Sequence, residues 1–172
     1  MGYGERVWDG KLRRVVLGLG SNLGDRESNI RSAVTALAAD RQLVLLGTAS
    51  FYETPPFGGP PQGDYLNSAA LFRTGLSPRE VLSLGLAVER SLGRVRPDPV
   101  RWGPRTIDVD LLWMEGVAVD EPGLLVPHPR LPERPFALRP LLDLVPEATD
   151  PRSGEAYAGL AAAAAEIDRW GA

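Results

Sequence analysis

The stretch RTIDVDLL, residues 105–112, sets Asp108 and Asp110 among strand and core formers: Ile107, Val109, Leu111 and Leu112. Side chains alternate across a strand, so the two carboxylates share one face. Two like charges side by side repel. Either they face water on an edge strand, or they hold a cation such as Mg2+, which takes a few carboxylates along with phosphate oxygens and water. The arginines favour the cation. Arg90, Arg94, Arg96, Arg101 and Arg105 fall within sixteen residues with only Asp98 against them, and Arg130, Arg134 and Arg139 form a second group. The planar guanidinium fork matches phosphate. Carboxylates, cations and phosphates together are the parts of phosphoryl transfer.

Other motifs are weaker. GLGSNLGD (18–25) follows an apolar run as a dinucleotide fingerprint would, but its glycines are spaced G-x-G-x-x-x-G and position 23 is Leu. A glycine-rich turn able to approach a ligand is the better reading. A Walker A loop is excluded, because no G-K-[ST] occurs and Lys11 is the only lysine. Tyr65 and Asn67 lie two apart in a strand and share a face, where an aromatic and an amide suit a planar ring; core packing of Tyr65 is the plainer alternative. Thr54-Pro55-Pro56 most simply ends a strand. His128, the only histidine, lies between two prolines and precedes Arg130 and Arg134, a better place for a phosphate contact than for proton transfer. Trp102 reads as an anchor for the arginine loop.

The elements that must position these residues follow from periodicity. At 172 residues the length is that of one domain, and 44% hydrophobic with 24% charged residues is an ordinary globular composition. Cysteine is absent, excluding disulfides and thiolate metal sites, and a net charge of −3 argues against a general nucleic-acid binder. No apolar run is long enough for a membrane span and no signal peptide is evident, so the expectation is a cytoplasmic protein without membrane partners. A strand is expected at 13–20, a helix at 25–40, strands at 42–54 and 65–74, and a helix from the Ser77 cap to Leu92. Residues 93–105 form an irregular loop. A strand follows from Ile107, with a short edge strand in GVAVDE, a short helix near Phe136–Leu142, and an alanine-rich helix from about Ala156 to Trp170. The order βαββαβ is the split βαβ pattern of an α+β, ferredoxin-like antiparallel sheet with helices packed on one face, here with a C-terminal extension.

Several segments in order resemble one family: GLGSNLGDR, SFYETPP, DYLN, ERSLGRVR, RWGPRTIDVDLL, VPHPRLPERPFAL and PLLDLVPE. Together they are similar to 6-hydroxymethyl-7,8-dihydropterin pyrophosphokinases of folate biosynthesis, with RWGPRTIDVDLL the most specific. The resemblance runs from about Val15 to Pro146. It implies transfer of pyrophosphate from ATP to the pterin hydroxymethyl group, leaving AMP, with two Mg2+ ions as cofactors. By the same resemblance Asp108 and Asp110 hold the ions, Asp110 also lies near the attacking hydroxyl, and Arg94 and Arg105 contact phosphates during the reaction. Glu89, Arg96, Arg101, Arg105, His128 and Arg134 match the nucleotide side. Tyr65 and Phe136 match an aromatic pair around the pterin, Thr54, Asn67 and the backbone near Phe57 its hydrogen-bonding edge, and Trp102 a loop tryptophan that closes over it. VRPDPVRW is one residue longer than the family spacing, and Pro135 stands where a small residue is more usual. The whole chain, 1–172, is expected to form one pyrophosphokinase domain, with 1–12 an N-terminal extension of no assigned role. It is expected to act as a monomer on small molecules without binding nucleic acid. A non-catalytic RNA-binding module on the same sheet type is the competing class, disfavoured by the lack of an aromatic-rich strand.

Overall fold

The fold is known from a computed structural model that describes residues 7–171. Residues 1–6 of the expected N-terminal extension, and residue 172, lie outside the described residues.

The chain opens with β1 (Arg13–Ser21) and α1 (Arg26–Ala38), the latter started by the Asp25 carboxylate accepting from the Ser28 amide at 3.0 Å. Next come β2 (Val44–Thr48), β3 (Tyr52–Thr54), β4 (Tyr65–Thr74) and α2 (Pro78–Ser91). The α2 start is the expected capping box: Glu80 N donates to Ser77 Oγ at 3.3 Å and Ser77 N to Glu80 Oε2 at 2.7 Å. Then follow β5 (Asp108–Met114), β6 (Val119–Glu121), β7 (Leu124–Val126), α3 (Pro135–Leu144), α4 (Ala161–Ala164) and β8 (Asp168–Arg169).

The main sheet runs β5-β1-β4-β3-β8, with β2 also on β4, and its pairings are antiparallel. The single strand expected over 42–54 is therefore two. They part at Ala49, whose amide donates to Ala69 O while its carbonyl accepts from Ser68 Oγ, and both return to β4. GVAVDE does not extend this sheet; β6 pairs with β7 in a ribbon of its own.

Helices cover both faces, not one. Val15, Leu17, Leu19, Val109 and Leu111 pack with Ile30 and Leu37 of α1 and with Val81 and Val88 of α2. On the opposite face Val16, Leu71, Leu112 and Trp113 pack with Leu138 and Leu141 of α3 and with Tyr157. Central β1 and β4 are apolar on both sides, so each face needs cover. A bulge in the β1–β5 register turns consecutive Leu112 and Trp113 toward α3.

The alanine-rich helix expected over 156–170 is absent. A 3-10 turn at Tyr157–Gly159, the four-residue α4 and then β8 take its place. Alanine favours helix but offers little surface to bury, and Ala163 is the only buried residue of α4. Edge strand β3 supplies the competing partner, pairing Tyr52 with Arg169 and Glu53 with Asp168.

Candidate active site

Asp108 and Asp110 lie on the α3 face of β5, and the two residues opposite them in β1 are Gly20 and Gly18. D-x-D is thus matched by G-x-G on the neighbouring strand. The glycines place no side chain beside the carboxylates, and all four residues line one cavity of about 340 Å3. Although β5 ends the sheet order, its acidic face is turned into this cleft.

The arginine loop builds one wall. Arg94, with its side chain only 3% exposed, donates from Nη1 to Glu89 Oε1 (2.9 Å) and Asp108 Oδ1 (2.5 Å). Its Nε and Nη2 donate to the two oxygens of Asp98, both at 3.1 Å. Arg105 Nη1 donates to Asp108 Oδ2 at 3.2 Å, while its Nη2 lies 3.1 Å from Asp98. Glu89 is fully buried; it also accepts from Arg96 Nε at 2.8 Å and from the Val109 amide at 2.9 Å. Each buried charge on this wall has a counter-charge, as low dielectric requires, although Arg105 Nε is buried without a hydrogen-bond partner among the described residues.

The facing wall is different. Asp110 accepts no hydrogen bond among the described residues, and burial, then the Asp108 charge, push its carboxyl up to about 7. Among the described residues Arg134 makes no ion pair there and its buried Nε has no partner, and burial draws it below the usual arginine range. Its guanidinium carbon sits 5.6 Å from the Phe136 ring centroid. His128 is held neutral, down to about 4, chiefly by burial and next by the Arg134 charge. Its Nδ1 accepts from the Arg130 amide at 3.2 Å, leaving the proton on Nε2.

The other end of the cleft is aromatic and amide-rich. Tyr65 lines it from β4 and Phe136 from the first turn of α3, with Phe57 at the mouth, 64% exposed. Asn67 Nδ2 donates to Thr54 Oγ1 at 2.8 Å, which fixes the amide and leaves its oxygen near Gly20.

Thirteen expected site residues meet in this cavity: Thr54, Phe57, Tyr65, Asn67, Arg94, Arg96, Trp102, Arg105, Asp108, Asp110, His128, Arg134 and Phe136. Glu89 and Arg101 do not line it. Glu89 lies beneath the wall, and Arg101 is exposed, 5.9 Å from the Trp102 ring centroid. Sequence reasoning missed Asn22 and Gln62. Asn22 Oδ1 accepts from the Arg105 amide (2.7 Å), Asn22 Nδ2 donates to Gln62 Oε1 (2.8 Å), and Gln62 Nε2 donates to the Trp102 carbonyl (2.8 Å). Together they tie the loops before α1, before β4 and before β5. Trp102 itself is held at φ 62°, the left-handed region. Asn22 stands in the quoted GLGSNLGD; nothing in the sequence marks Gln62.

A family model described as 7,8-dihydro-6-hydroxymethylpterin-pyrophosphokinase matches residues 16–146. The chain belongs to this family. A 2-amino-4-hydroxy-6-hydroxymethyldihydropteridine pyrophosphokinase from Synechocystis is 40% identical to this chain over 140 residues, covering 81% of this chain and 70% of its own length. Enzymes of the same name from Methylorubrum extorquens and Bacillus subtilis are 41% and 43% identical, covering 79% and 74% of this chain and 85% and 75% of their own lengths. In fold, this pyrophosphokinase-family chain resembles a crystal structure of an HPPK-DHPS in complex with substrates. The TM-score is 0.65 at 13% identity, with 84% of this chain and 42% of the longer one covered. The family match ends before Tyr157, α4 and β8. No helix among the described residues is long and apolar enough to cross a membrane.

Proposed function

We propose that this chain transfers the diphosphate of ATP to the hydroxymethyl group of 6-hydroxymethyl-7,8-dihydropterin, releasing AMP. Family membership supports the reaction, and the single observation that carries the site is Asp108 and Asp110 facing two glycines across one cavity. The ferredoxin-like reading of the core is supported by the order β5-β1-β4, with β2 and β3 sharing the place of one strand beyond β4.

The residues fit Mg2+. Asp110 is a carboxylate without a hydrogen-bond donor among the described residues, in a cavity beside a second carboxylate, an arrangement a divalent cation relieves. No cluster of three or more His, Cys, Asp or Glu suited to a metal occurs among the described residues, so phosphate and water oxygens must complete the sphere. Asp108 and Asp110 would hold two Mg2+ ions, whose charge would offset that developing on the leaving phosphate oxygen. Tyr65 and Phe136 hold the pterin ring, with Asn67 and Thr54 on its polar edge and Trp102 above. His128 Nε2–H and the unpaired Arg134 bind the nucleotide phosphates, and Arg96 and Arg105 approach from the arginine loop. The pterin hydroxyl oxygen then bonds the β-phosphorus as the bond to the bridging oxygen of the α-phosphate breaks, and AMP leaves with that electron pair. Asp110 accepts the hydroxyl proton, being the cavity carboxylate without a guanidinium partner. One chain supplies every one of these groups, which favours a monomer as the active unit.

The test is to incubate the protein with ATP, Mg2+ and the hydroxymethyl dihydropterin and to follow nucleotides. Pterin-dependent AMP is expected. ADP as the sole pterin-dependent product, or no pterin dependence, would contradict the assignment. The RNA-binding reading loses support because Tyr65 and Phe136 line a cleft, not an open sheet face.

A further inference from the structure

Asp98 is the sole acidic residue between Arg90 and Arg105. Both its oxygens are gripped by Arg94, through Nε and Nη2 at 3.1 Å each, and Arg105 Nη2 comes within 3.1 Å of Oδ2. Two guanidiniums converging on one small anion is the geometry that phosphate oxygens would take up. Arg94 and Arg105 both line the cleft, whereas Asp98 does not.

The donors of Arg94 are almost fully committed. Its Nη1 serves Glu89, Asp108 and the Ile107 carbonyl, and its Nε and Nη2 serve Asp98. A phosphate can take Nε and Nη2 only when Asp98 gives them up. Charge leads to the same result. Arg94, Arg96 and Arg105 are paired with Glu89, Asp98 and Asp108, so this wall offers an anion no net positive charge while Asp98 stays.

Asp98 is also able to leave. It lies in a segment without helix or strand, between Gly93, at φ 92°, and Gly103. Pro97 and Pro99 flank it and stiffen its immediate neighbourhood, so the carboxylate moves with the loop. Glu89 and Asp108 sit instead on α2 and β5.

We propose that Asp98 is an internal phosphate surrogate: in the free protein its carboxylate fills the Arg94–Arg105 anion site, and nucleotide phosphates displace it. Asp98 thereby sets nucleotide affinity, because the binding-competent loop is only a fraction of the free population. Hydrogen bonding from Arg94 holds the Asp98 carboxyl below the usual carboxylate range, so it remains ionised as a competitor. The inference rests on the phosphate-transfer reading of the cleft.

Calorimetric titration of wild type, Asp98→Asn and Asp98→Glu tests it, with Mg2+ and either α,β-methylene ATP or tripolyphosphate as the probe. Asp98→Asn is expected to bind both probes about three- to tenfold tighter, and Asp98→Glu to stay near wild type. A residue with a merely structural role would weaken binding on removal. Asp98→Ser carries the same expectation as Asn and guards against a folding defect peculiar to one substitution. Equal or weaker binding in the Asn and Ser variants, with wild type still binding, overturns the surrogate and leaves the phosphate-transfer reading standing. No binding of either probe by any of the proteins overturns both.

Discussion

On one wall of the cleft Arg94 meets Glu89, Asp98 and Asp108; on the other Arg134 pairs with no carboxylate among the described residues, and Asp110 accepts no hydrogen bond. Both walls bury charge, but only the first neutralises it from within the chain. Buried ion pairs contribute little net stability, yet breaking one strands the survivor in low dielectric. The paired wall therefore behaves as scaffold, and the unpaired wall is where charges from outside the chain are wanted. Asp110 calls for a cation and Arg134 for an anion. A metal–nucleotide complex supplies both at once.

Substitutions should separate the walls. The largest effect is expected from Asp108→Ala and Asp110→Ala, each lowering turnover on the order of a thousandfold. Asp110→Ala should keep the urea midpoint, whereas Asp108→Ala, which leaves Arg94 and Arg105 one counter-charge short, should lower it. Near-normal turnover in both would remove the metal proposal. On the paired wall Glu89→Gln should cost about 3–5 kcal/mol in urea unfolding, because Arg94 stays buried with one counter-charge fewer. A loss below about 1 kcal/mol would show that the wall is not the scaffold described. Arg134→Met should do the reverse, raising KM for ATP about ten- to hundredfold with no fall in the urea midpoint.

The smallest effect is on pH dependence. Burial, and next the Asp108 charge, push the Asp110 carboxyl up to about 7 in the fold from a reference value of 3.8. Below 3.8 both folded and unfolded chains are protonated there and the group contributes nothing. As pH rises from 3.8 toward 7 the unfolded chain ionises there while the fold keeps the acid protonated, so stability falls, and it levels off above 7 where both states are ionised. In metal-free buffer Asp110→Asn should match wild type near pH 4 and exceed it by about 1–2 kcal/mol at pH 8, after discounting for the partial exposure of the group. A gap that is largest at pH 4 would reverse the assignment.

How much of this could be read in the sequence depended on whether the signal was local. The shared face of Asp108 and Asp110 follows from strand period alone, and the Ser77–Glu80 capping box is complete within four residues. RRVVLGLG supplied the strand but not the meaning of its glycines, which appears only when β1 is laid beside β5. Asp98 showed as a lone counter-charge; that it closes on Arg94 and Arg105 depends on how the loop folds back. Glu89 was grouped with the nucleotide side, yet it sits under the wall on α2. The C-terminal error has the same origin: alanine propensity is local, while the claim of edge strand β3 on Asp168–Arg169 is not. The second cover of helices was missed because the alternation of β1 does not reveal that both of its faces are packed.

The central claim is that the unpaired wall becomes a metal site when phosphates arrive. Manganese, as a paramagnetic stand-in for Mg2+, can be titrated by electron paramagnetic resonance with and without α,β-methylene ATP. Weak binding to wild type alone is predicted, because arginines occupy Asp108 and burial disfavours the charged form of Asp110. Binding at least tenfold tighter is predicted once the nucleotide analogue is present, and Asp110→Asn should lose that gain. Manganese binding to Asp110→Asn with its nucleotide-dependent gain intact would contradict the account.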